Sequence, residues 1–88
     1  MKSFKATIID PLGLHVRPAS VLSSKMAKYK SKVTLKVIDG ATADVKSIIN
    51  LMSLAIKQNT EVELSAQGED EEEAINELRK VLEENKLI

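Results

Sequence analysis

The chain has 88 residues, 43% hydrophobic and 30% charged, which fits a single domain over residues 1–88 and leaves little room for a linker or a second core. Thirteen basic residues balance thirteen acidic ones, and Phe4 and Tyr29 are the only aromatics, so the composition argues against nucleic acid, which is bound by basic surfaces and stacking rings. There is no cysteine and only one histidine, the N-terminus MKSFKATIID has no apolar signal core, and no stretch approaches a membrane span; the expectation is a cytoplasmic protein with no metal, no cofactor and no membrane insertion.

Phe4, Ala6 and Ile8 alternate with Lys5, Thr7 and Ile9, a period near two that predicts a strand with one buried face. Asp10-Pro11 ends it, because proline cannot donate to a ladder and pushes the preceding residue toward extended geometry. From Pro18 onward Ala19, Leu22, Met26 and Tyr29 recur at spacings of three and four, which predicts a helix. Val33, Leu35 and Val37 alternate with Lys32, Thr34 and Lys36, and Asp39-Gly40 signals a hairpin into Ala41, Ala43 and Val45. A second helix over 47–56 would place Ile48, Leu51, Met52, Ala55 and Ile56 on one face. Ile49 and Leu54 lie off that face, so this helix has more apolar surface than one core needs. Val62, Leu64 and Ala66 make a fourth strand, closed by Gly68. The acidic run Glu69 to Glu73 then suits the positive end of a third helix, with Ala74, Ile75, Leu78, Val81 and Leu82 as its apolar stripe. The order βαββαβα predicts an α+β fold, a four-stranded antiparallel sheet covered on one face by three helices.

The stretch GLHVRPAS places His15 where a helix begins, between Gly13, which permits a sharp entry, and Pro18, whose missing N–H costs nothing in a first turn. A lone histidine is more often structural than functional. Its position changes that balance: free backbone N–H groups and the dipole at a helix start stabilise an anion, and histidine is a covalent relay in group transfer. Arg17, by itself an ordinary surface charge, could hold a phosphoryl group through its guanidinium fork. Ser47 reads first as the N-cap of the second helix, a place where a phosphate would also be tolerated. Ile48, Ile49 and Met52 read first as core, but their excess over one face suggests that some form an exposed docking patch.

These residues resemble a known family, HPr, the histidine-containing phosphocarriers of the bacterial phosphoenolpyruvate-dependent sugar phosphotransferase system. The likeness covers the whole chain and rests on Gly13-Leu14-His15-Val16-Arg17-Pro18-Ala19 and on the run from Lys46 to Leu54, with the Gly68-acidic-helix ending in support. It implies an open-faced β-sandwich, and a carrier that forms a transient phosphohistidine rather than an enzyme. His15 would accept a phosphoryl group from enzyme I and pass it to enzyme IIA, and Arg17 would contact that group. Ser47 matches a regulatory serine modified by an HPr kinase/phosphorylase, in a form that a transcriptional regulator can bind. Val16, Ser20, Ile48, Ile49 and Met52 match the docking surface, and the protein is expected to be a monomer. The sequence departs from the family at Val16, where alanine is commoner, and at Leu12, where some members carry a polar residue. Three other readings remain open: a purely regulatory module modified at Ser47, whose relatives lack the reactive histidine; a carrier of a nitrogen-related branch; and an RNA-binding α/β domain.

Overall fold

The computed structural model describes residues 1–88. In chain order it contains β1 (Lys2–Thr7), α1 (Val16–Met26), β2 (Lys32–Val37), β3 (Thr42–Asp44), α2 (Ile48–Ser53), β4 (Glu61–Gln67) and α3 (Glu71–Glu84). The strands form one antiparallel sheet in the order β1-β4-β2-β3. This is the expected open-faced sandwich, a four-stranded sheet with the three helices packed on it.

The register follows from the period of two. Val33 pairs with Ala66, Leu35 with Leu64 and Val37 with Val62, which puts the apolar residues of both central strands under the helices. The fully buried Val33, Leu35, Val62 and Leu64 each contribute about 1.5–3 kcal/mol by leaving water. The intervening positions face away, where the Thr34 and Ser65 hydroxyls, paired in the register, lie 2.6 Å apart on the open side. Edge strand β1 is less enclosed: Phe4 is only half-buried, and its ring is covered by the Arg79 guanidinium 4.2 Å from the centroid.

Three details depart from the periodicity. β1 ends at Thr7, and Ile8 reaches the core from the following loop. α1 ends at Met26, so Tyr29 lies beyond the helix; its hydroxyl donates to Glu77 Oε1 at 2.7 Å, which also receives Lys28 at 3.0 Å. Expected over 47–56, α2 stops at Ser53. Leu54 and Ala55 close it with three-residue turns, their N–H groups donating to the carbonyls of Leu51 and Met52 at 3.3 and 3.2 Å, and Ala55 then turns left-handed at φ 49°. Leu51 and Ile56 therefore reach the core, while Ile48 stays on the surface.

α3 realises its predicted stripe, with Ala74, Ile75, Leu78, Val81 and Leu82 all buried. Asp70, which the sequence assigned to the helix dipole, turns its carboxylate onto the turn before β2. It accepts from the backbone N–H of Lys30 at 2.8 Å, from that of Ser31 at 2.9 Å, and from the Ser31 hydroxyl. These bonds, the hydroxyl's above all, hold its pKa down at about 2.

Candidate functional site

The loop from β1 to α1 is fixed at both ends before it presents any side chain. Ile8 exchanges backbone bonds with Thr60 and Asn59 at 2.9 and 2.7 Å, Ile9 N–H donates to Leu87 at 2.7 Å, and Leu14 N–H donates to the Ile56 carbonyl at 3.1 Å. Gly13 is required on two counts. Its φ is 69°, and a Cβ would sit 2.2 Å from the Ile56 carbonyl oxygen. The short end of α2 thus serves the site, because the turn after it carries the carbonyl that anchors Leu14.

His15 occupies the N-cap position in extended geometry, φ −107° and ψ 178°, and its side chain makes no capping bond. The first bond of the helix runs from Ala19 N–H to the His15 carbonyl at 3.1 Å, and Pro18 has no N–H, so the amides of Val16 and Arg17 remain free donors at the positive end of the dipole. The ring is about one-third exposed, with Nε2 3.4 Å from Asp10 Oδ2. Arg17 is exposed and takes part in none of the ion pairs of the molecule. His15, Val16, Arg17 and Ser20 share an open cleft with Leu12 and Val21. Such an arrangement can receive an anion: backbone donors and a guanidinium surround a nucleophilic ring that water and a partner can reach.

Ser47 does cap α2, accepting from Asn50 N–H at 3.2 Å. The residue before it is tied to α1, because Ser23 Oγ donates to the Lys46 carbonyl at 2.7 Å. Ile48, Ile49 and Met52 lie on α2, which packs beside α1, but they do not line the His15 cleft. The apolar surface is nonetheless real: Ile49 is 81% exposed, Val16 61% and Ile48 38%, whereas Met52 is half-buried. One residue at the site escaped the sequence reading, Asp10, taken only as a strand terminator; Leu12, expected only as a departure from the family, is 73% exposed in the cleft. A second groove, between α1 and α3, holds Lys25, Lys28, Glu77 and Lys80; the Lys28 charge there is already paired with Glu77.

The family model described as the PTS HPr component phosphorylation site matches residues 2–84. The chain belongs to the HPr family. It is 49% identical to phosphocarrier protein HPr of Mycoplasma genitalium and 46% identical to that of Mycoplasma pneumoniae, each over 88 residues that span all of both chains. A solved Mycoplasma histidine-containing phosphocarrier protein superposes with a TM-score of 0.95 at 38% identity, covering 99% of this chain and 98% of the other. Membership gives the chain the family's role, that of a phosphocarrier of the phosphotransferase system rather than a catalyst. No helix is long and apolar enough to cross a membrane.

Proposed function

We propose that His15 accepts a phosphoryl group on Nδ1 from the phosphohistidine of enzyme I and passes it to enzyme IIA, in the cytoplasm and as a monomer. In the first step a lone pair of the ring attacks phosphorus, the new N–P bond forming as the donor's N–P bond breaks; in the second step His15 is the donor. The observation that carries this reading is a helix start left open: the only histidine stands at the head of α1 without capping it, two amides are free, and Arg17 has no partner in the same cleft. Incoming negative charge meets the dipole, the amides and the guanidinium together.

Val16, Ser20, Ile48, Ile49 and Met52 form the docking surface for both partners. Phosphate on Ser47, placed by an HPr kinase/phosphorylase, adds about −1.5 to −2 charge beside that surface and slows transfer from enzyme I. The modified form is the one offered to a transcriptional regulator. Incubation with enzyme I and labelled phosphoenolpyruvate tests the core of this: wild type takes up acid-labile phosphate, Arg17→Gln takes it up slowly, and His15→Ala takes up none. Equal labelling of His15→Ala would overturn the assignment.

A further inference from the structure

Asp10 is the carboxylate that reaches the His15 ring, and everything about its setting fixes the direction in which it points. Oδ1 accepts from Leu12 N–H at 2.8 Å, and the Asp10 carbonyl accepts from Gly13 N–H at 2.8 Å. Ile9, just before it, is held at both backbone groups, by Leu87 at 2.7 Å and by the Gln58 side chain at 3.1 Å. The side chain is 18% exposed against 34% for the ring, so Oδ2 faces Nε2 from the more enclosed side. Nδ1 has no hydrogen-bond partner in the protein.

We infer that Asp10 is a positioning residue that sets the tautomer of His15, holding the proton on Nε2 and leaving Nδ1 bare for the phosphoryl group. An ionised carboxylate accepts hydrogen bonds and donates none, so the ring atom that faces it carries the hydrogen. A neutral imidazole has one such hydrogen, and the lone pair is then on the other nitrogen. The separation of 3.4 Å is long for a charge-assisted bond, in keeping with a resting ring. After attack the ring keeps Nε2–H, gains the N–P bond at Nδ1 and becomes cationic, so the same carboxylate then faces a full positive charge and the contact tightens. This deepens the reading of His15 as a phosphoryl acceptor at Nδ1 and rests on it.

Asp10→Asn separates this role from a merely structural one. The amide oxygen can keep the Leu12 bond, which turns the NH2 group toward the ring; a donor now faces Nε2, and the proton moves to Nδ1. Asp10→Ala imposes neither tautomer. Nitrogen chemical shifts of the unphosphorylated protein should show Nε2–H in wild type, Nδ1–H in Asp10→Asn and a mixture in Asp10→Ala. Initial transfer from enzyme I should fall in the order wild type, Ala, Asn, with Asn down by about tenfold to a hundredfold. A residue that only shapes the loop gives the opposite order, because Asn preserves more of the turn than Ala; that order, or an Asn variant with Nε2–H and wild-type rates, overturns the proposal. The nitrogen shifts do not depend on transfer. Failure of wild type to label removes the carrier reading, while the shifts still decide what Asp10 does to the ring.

Discussion

At the start of α3 three glutamates, Glu71, Glu72 and Glu73, occupy the first turn, whereas the first turn of α1 contains no acidic residue. Both helices follow a residue that does not cap them, Asp70 in one case and His15 in the other. Around α3 the chain supplies its own anions. Glu71 Oε1 accepts from Gly68 N–H at 3.2 Å and Oε2 meets the N-terminal ammonium at 3.0 Å, and these contacts, the ammonium first, hold its carboxyl below the usual range. Around α1 the equivalent field has no resident anion in the turn, and the Arg17 guanidinium adds positive charge to it. One helix start is filled by the chain's own carboxylates, and the other is left open, as the carrier role proposed for His15 requires.

The widest break in this comparison comes from giving α1 the acid that it lacks. Val16→Glu places a carboxylate in the first turn, where the dipole gains about 0.3–1 kcal/mol, so the thermal midpoint should hold or rise slightly. Transfer should suffer. At an effective dielectric near 20, like unit charges repel by about 4 kcal/mol at about 4 Å and by about half that at twice the distance, more than a tenfold loss in rate in either case. Val16→Gln has nearly the same shape without the charge and controls for loss of apolar docking surface. Labelling rates from enzyme I that are equal for Glu and Gln would show that the open turn does not matter to the phosphoryl group.

The two helix starts also differ in how far they could be read from the sequence. The strands and the α3 stripe are visible because burial imposes a period on contiguous residues, as Val62, Leu64 and Ala66 show. His15 and Arg17 could be read because Gly13 and Pro18 bracket the helix entry with backbone signals that local sequence carries. Asp10 could not, since its approach to His15 depends on a loop whose path is set by Leu87, Gln58 and the Ile56 carbonyl. Asp70 was misassigned for a similar reason: its partners Lys30 and Ser31 are 40 and 39 residues away in sequence. Nothing local announces the end of α2, because Ala55 is no usual left-handed residue and its φ of 49° is imposed by the turn that delivers Ile56.

Asp70 allows the closed side of the comparison to be measured. Its carboxyl titrates at about 2 in the fold against an ordinary 3.8, so its charged form is favoured by folding. A depressed pKa contributes stability that is complete above the ordinary value and is lost as pH falls through the folded one. Asp70→Asn should therefore lower the denaturation midpoint by a constant amount near neutrality, and the gap to wild type should narrow between pH 3.8 and about 2. Labelling of His15 at neutral pH should be unchanged. A gap that stays constant down to pH 2 would mean that the charge of Asp70 is not what ties the turn before β2 to α3.

The smallest effect is expected at the third helix start, where α2 combines both strategies in one residue. Ser47 caps its own helix and is also the site proposed for a charge that comes and goes. Ser47→Ala removes the acceptor for Asn50 N–H and should cost about 0.5–2 kcal/mol. The lower end is expected because the bond is 3.2 Å long and exposed. Transfer from enzyme I should be unaffected, since the hydroxyl itself only supports α2. Ser47→Asp reverses the pattern: aspartate is as good an N-cap as serine, so the midpoint stays near wild type while the added charge slows transfer. Two variants at one position thus separate capping from charge. Wild-type transfer by Ser47→Asp would leave Ser47 as a cap, and α2 would then join α3 as a helix whose start serves the fold alone.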